Sequence, residues 1–108
     1  MMETVICRFE HDQAVRLYAL HLLVQGYDVQ ARVEGWFQAP DYLYGYRPDI
    51  VAKRGNEWLI VEIKKSDADW PKSNAFERVE REREHFHFLV RSPQDVLNGQ
   101  WPGADARQ

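Results

Sequence analysis

The sequence predicts an α/β fold in the order helix, strand, strand, strand, helix, strand, followed by a short helix, and three observations predict it. Apolar residues between Glu10 and Gln25 recur at three- and four-residue spacing, the mark of an amphipathic helix. Two strand-forming runs, Asp49 to Lys53 and Trp58 to Lys64, flank Arg54-Gly55-Asn56-Glu57, a turn signal that joins antiparallel strands. A highly charged helical pattern beginning near Ser73 then runs into His85 to Val90, which reads as a last strand.

Composition sets the outer limits. With 108 residues the chain suffices for one domain with a real core and not for two. Hydrophobic residues at 44% and charged ones at 29% are those of an ordinary soluble globular protein. The one cysteine, Cys7, excludes an intramolecular disulfide and a thiolate zinc cluster, so a reducing, cytoplasmic setting is expected, with packing as the role of the thiol. The longest apolar candidate for a membrane span, Leu17 to Val24, is short and broken by His21, so neither a span nor a signal peptide is expected. A net charge of -3 lacks the basic surplus of a nonspecific nucleic-acid binder, so any such binding must rest on local charge.

Before the first helix, Met1 to Phe9 alternates through Val5, Cys7 and Phe9, which fits a short edge strand or an ordered arm. The helix over Glu10 to Gln25 places Ala14, Leu17, Tyr18, His21 and Val24 on one side and ends at Gly26, a natural C′ residue. Glu10 and Asp12 fall in its first turn, where they complement the helix dipole. Tyr27 to Val33 reads as the first strand, with Tyr27, Val29, Ala31 and Val33 on one face. The loop from Glu34 to Tyr46 carries Trp36, Phe37, Tyr42, Tyr44 and Tyr46. Rings so concentrated serve either as a stacking surface for bases or as packing over the sheet or against another subunit, and packing is the preferred reading.

The hairpin is the centre of the chemistry. A two-residue loop at Gly55-Asn56 makes paired residue numbers sum to 111, so Asp49 faces Glu62. Cβ atoms directly opposite are roughly 4.5–5.5 Å apart, and two like charges there destabilise unless something bridges them. Glu62 and Lys64 share a face, while Leu59, Ile60, Val61 and Ile63 are apolar on both faces, so this strand is expected to be central and buried. A divalent cation is the natural bridge. Asp49 and Glu62 would be its ligands, the Ile63 carbonyl offers a third, and Lys64 is suited to hold the attacking water and offset charge on a phosphate. The chemistry that uses such a set is metal-dependent phosphodiester hydrolysis, for which Mg²⁺ or Mn²⁺ would be the cofactor.

After the hairpin, Ser66-Asp67-Ala68-Asp69 has capping-box spacing and Pro71 stops any preceding regular run, so the second helix is expected to start near Ser73. Ala75, Phe76, Val79 and Phe86 form its thin buried stripe, and a Glu77–Arg81 pair supports its solvated face. His85 and His87 have H-x-H spacing, which either binds a transition metal or marks a helix end and a strand surface; the second reading is preferred. Ser92-Pro93-Gln94-Asp95 starts a short helix over residues 93–98, which Gly99 ends, and residues 100–108 read as a loose tail.

Pro48-Asp49, twelve intervening residues and then Glu62-Ile63-Lys64, on a hairpin placed between two helices, resembles the PD-(D/E)xK nuclease superfamily. The resemblance covers about residues 10–90 of a single domain. It implies the restriction-endonuclease-like fold, an αβββαβ core with a mixed central sheet flanked by helices. It further implies a first-helix carboxylate at the site, with Glu10 as the candidate and Asp12 second, although the dipole accounts for both equally well. In size the chain looks most like stand-alone members such as archaeal Holliday-junction resolvases, or small nuclease-like proteins of mobile elements, which implies DNA as partner, branched or junction DNA included, and a homodimer. Arg47, Lys65 and Lys72 are the candidate nucleic-acid contacts, part of a positive cluster with Lys53, Arg54 and Lys64 whose plainer role is a solvated surface. Two other classes stay open: a catalytically silent nuclease-fold module that binds DNA or protein, and an unrelated α/β domain in which Asp49 and Glu62 are ordinary surface residues.

Overall fold

In the computed structural model, residues 2–64 and 70–99 are described, with side chains over 8–64 and 71–99. The elements follow the order α1 (Met2–Val24), β1 (Asp28–Ala31), β2 (Ile50–Arg54), β3 (Glu57–Ile63), α2 (Trp70–Glu82), β4 (Phe86–Arg91) and α3 (Pro93–Leu97). The four strands form one sheet in the order β1-β2-β3-β4. Pairing is antiparallel from β1 to β2 and from β2 to β3, and parallel from β3 to β4, with α2 in the crossover. This is the mixed sheet with flanking helices of a restriction-endonuclease-like fold. β3 is central, and its five residues from Leu59 to Ile63 are all buried, as its apolar character on both faces requires.

Several boundaries differ from the expectation. α1 takes in the segment expected as a strand or arm, because nothing between Met2 and Glu10 breaks a helix and extending one costs less than nucleating another element. Its buried side is Ala14, Val15, Tyr18, Ala19 and Leu22, packed on Ala31, Ile50, Ala52, Leu59, Val61 and Ile63. Leu17 and Val24, assigned to the buried side by spacing, are 40% and 86% exposed. The second half of the helix carries Leu17, Leu20, Leu23 and Val24 on its exposed side as well, so periodicity does not select a face there; the small residues Ala14 and Ala19 let the backbone approach the sheet closely. α3 docks on α1 through Val96 and Leu97, with the Ser92 Oγ accepting from the Asp95 N–H at 3.1 Å as its cap.

On the other face α2 lays Phe76 and Val79 over Ile60, with Phe86 and Phe88 beside them. It begins at Trp70, before the expected Ser73, because Pro71 fits a first helical turn, where its missing N–H has no partner to lose. The capping sequence Ser66 to Asp69 lies outside the described residues. The helix stops at Glu82; His85 takes a positive φ of 70°, and Phe86, expected on the helix stripe, stacks on Trp58 from β4 at 5.3 Å. Its i,i+4 ion pair is Arg78–Glu82 at 2.9 Å, one residue on from the Glu77–Arg81 pair expected.

Two of the five rings of the aromatic loop pack. Trp36 lies against the α1 core and donates its Nε1–H to the Val29 carbonyl at 2.9 Å, and Tyr44 donates its hydroxyl hydrogen to Glu82 at 2.9 Å. Phe37, Tyr42 and Tyr46 stay exposed, at 85%, 63% and 37%.

Candidate active site

The hairpin register pairs Ile50 with Val61 and runs to Arg54 opposite Glu57, so every pair sums to 111 as predicted. Asp49 and Glu62 occupy the next position, at the start of β2 and the end of β3. Both are buried, 6% and 4% exposed. Each caps the other's strand: the Asp49 N–H donates to Glu62 Oε2 at 2.8 Å, and the Ile63 N–H donates to Asp49 Oδ2 at 2.9 Å. The two carboxylates are thereby held in place by the backbone of the hairpin itself. Ile63 meets Asp49 through its N–H and is itself 1% exposed.

Each long helix sends one cationic or ionisable side chain to the pair. From α1, His11 places Nε2 3.4 Å from Asp49 Oδ2 and Nδ1 3.4 Å from Asp12 Oδ1. From α2, Lys72 sets Nζ 3.2 Å from Glu62 Oε1. Lys64, half-buried on the Glu62 side of the strand, hydrogen-bonds through Nζ to the hydroxyl of Ser73, which is buried. α2 thus anchors both the carboxylate and the lysine of the Glu-x-Lys motif through consecutive residues. Burial, and then the neighbouring Asp49 charge, push the Glu62 carboxyl above its ordinary value of 4.5, against the opposing pull of Lys72. The hydrogen bond to Asp49 raises His11 above 6.5, partly offset by burial.

Of the other expected site residues, Arg47 stands two positions before Asp49 with its guanidinium 4.7 Å over the Tyr42 ring and its Nε buried without a hydrogen-bond partner. Glu10 accepts from Gln94 Nε2 of α3 at 3.4 Å, so the α1 side chain that touches Asp49 is His11, with Asp12 joined through it. Lys65 lies outside the described residues. Reading the residues singly missed His11, and the signal was there: positions 11, 14, 15, 18, 19 and 22 form one helical side, so His11 is the polar end of the buried stripe. The H-x-H pair is elsewhere, with His85 Nδ1 3.0 Å and His87 Nε2 2.5 Å from the two oxygens of Glu57.

Among the described residues no three His, Cys, Asp or Glu side chains are grouped so as to hold a metal ion by themselves. The donors offered are two carboxylates with no thiolate, each with one oxygen bound to a backbone N–H. Such a set fits a hard cation that keeps several waters, as Mg²⁺ does. The carboxylate of Glu62, whose charged form is disfavoured by burial and by Asp49 and is already drawn to a lysine, is a place where added positive charge is welcome.

The mixed four-stranded sheet flanked by helices is that of the restriction-endonuclease-like class. A sequence model of the family described as REase_AHJR-like matches residues 3–86, and the chain belongs to that restriction-endonuclease-like family. No curated protein and no solved structure matches it. Among the described residues no helix is long and apolar enough to cross a membrane.

Proposed function

We propose that the protein is a metal-dependent endonuclease that hydrolyses phosphodiester bonds of DNA, branched or junction DNA included. The observation that carries the reading is the reciprocal capping of two buried carboxylates at adjacent hairpin positions, with Lys64 two residues beyond Glu62. Asp49 and Glu62, with the Ile63 carbonyl, would hold Mg²⁺ or Mn²⁺. When bound, such an ion polarises the phosphate and supplies an acidified water at neutral pH. Lys64 lies on the face of Glu62, where its ammonium, steadied by Ser73, orients the attacking water and stabilises charge that develops on the phosphate oxygens. His11, braced by Asp12, holds the Asp49 carboxylate in one rotamer, and Lys72 compensates the Glu62 charge.

Cleavage of labelled single-stranded, duplex, flap and four-way-junction DNA with Mg²⁺ or Mn²⁺ tests this, with Glu62→Gln as the control. Metal-dependent cutting that disappears in the variant is the expected outcome, and the preferred substrate identifies the specificity. A dimer, expected because so small a chain gives little surface across a duplex, belongs to the same proposal and is read by sedimentation at micromolar protein. One observation favours a second reading, a silent binding module: Lys72 and His11 partly satisfy the carboxylates without any metal, so their retention alone does not demand catalysis. Binding of the same DNAs without cutting by either metal would decide for it.

A further inference from the structure

We propose that the cleft between α2 and the 34–46 loop is a binding track for the phosphate backbone of the strand that enters the Asp49–Glu62 site. It rests on the nuclease reading and adds residues outside the carboxylate site. The cleft, about 580 Å³, is lined by Tyr44, Tyr46, Pro71, Asn74, Arg78 and Arg81. Both of its walls run into the site. The Tyr44 to Tyr46 wall continues through Arg47 and Pro48 to Asp49. The helical wall runs between Arg81 and Pro71, and at its Pro71 end Lys72 and Ser73 hold Glu62 and Lys64.

The lining suits phosphate. Asn74, Arg78 and Arg81 follow at four and three residues, one stripe along α2. From Lys72 to Arg81 the helix rises about 14 Å, the length of roughly four base-pair steps at 3.4 Å along a duplex axis. Guanidinium forks match phosphate oxygens in pairs, and the Asn74 amide and Tyr46 hydroxyl add neutral donors. Of the acidic residues beside it, Glu82 is already held by Arg78 and by the Tyr44 hydroxyl, both at 2.9 Å, and Glu77 lies four residues before Arg81. The guanidinium groups of Arg78 and Arg83 lie over the Tyr44 ring, 5.2 and 5.4 Å from its centroid. Arg81 is exposed in the cleft. Contacts of this kind position a strand without reading bases, so the track is indifferent to sequence.

The test is fluorescence anisotropy of the full chain, in chelator, with labelled single strands and duplexes of two unrelated sequences across a salt series. Arg81→Glu is expected to weaken binding about tenfold on both sequences and to reduce the salt slope by about one phosphate contact, with melting temperature unchanged. Lys53→Glu, at the far end of β2, makes the same charge change and is expected to alter affinity less than about twofold. Equal losses in the two variants, a loss confined to one sequence, or no binding by the unaltered chain overturns the track. Loss in Arg81→Glu with no cleavage by the unaltered chain in metal would leave the track standing and sink the nuclease reading. Unaltered affinity in Arg81→Glu beside metal-dependent cleavage would do the reverse.

Discussion

Replacing Glu62 by glutamine is expected to stabilise the metal-free protein at neutral pH. The glutamine side chain would keep an oxygen for the Asp49 N–H, which now reaches Glu62 Oε2 at 2.8 Å, and would remove a charge that is 4% exposed beside a second buried carboxylate. The loss on the other side is the Lys72 ion pair at 3.2 Å, and the lysine stem is long enough to carry its ammonium to water. An exposed ion pair is worth a few tenths of a kcal/mol and an unrelieved buried charge several; a carboxylate relieved in part by one lysine falls between, at about 1 kcal/mol. For a domain of this size that is about 4–8 °C in Tm. The pH dependence has a definite sign. Because the folded protein holds the Glu62 proton more tightly than the unfolded chain, this group's contribution is full below about 4.5 and is lost as pH rises through the raised folded value. The variant lacks that loss, so the two proteins are expected to differ little near pH 4 and by the full amount at pH 7. Thermal denaturation in chelator from pH 4 to 8 measures it. A drop of several degrees at pH 7 would show the Glu62–Lys72 pair to be net stabilising and refute the argument that the carboxylates await a cation.

Lys64→Met, which keeps the stem and removes the ammonium, is expected to slow cleavage about 100-fold with Mn²⁺ affinity little changed; normal single-turnover rates would remove Lys64 from the chemistry. His11→Ala is expected to weaken Mn²⁺ binding about tenfold, and His11→Gln, which can still donate to Asp49, much less, as calorimetric titration would show; equal effects would mean that hydrogen bonding to Asp49 is not its role. Phe76→Ala should lower stability by about 3–5 kcal/mol, since Phe76 is fully buried between the sheet and α2, and urea unfolding that shows under about 1 kcal/mol would contradict the packing described.

The hairpin and its register were legible because two local rules agree there: Gly55-Asn56 fixes the loop, and a one-residue slip would turn Glu62 and Ile60 to the opposite face. The burial of β3 followed from its unbroken apolar run, and the Ser92 cap from residue types alone. What failed depended on the third dimension. α1 carries leucines on its solvent side as well, so only packing against the sheet shows that the 11-15-18-22 side faces inward and that His11, rather than Glu10, meets Asp49. Lys72 was read as a nucleic-acid contact rather than as the partner of Glu62, and Ser73 was missed, because their partners are ten and nine residues away, across a helix start whose position Pro71 obscured. The pairing of Glu57 with His85 and His87 spans 28 and 30 residues and was beyond local reasoning for the same reason.

The most direct test is whether Asp49 and Glu62 hold one ion together. Mn²⁺ titration followed by electron paramagnetic resonance, on the unaltered chain and on Asp49→Asn and Glu62→Gln, is predicted to give one ion per chain that is lost in both variants, along with DNA cleavage. The Glu62→Gln loss could not be ascribed to unfolding if that variant melts higher. Unchanged Mn²⁺ binding in either variant would contradict a shared site.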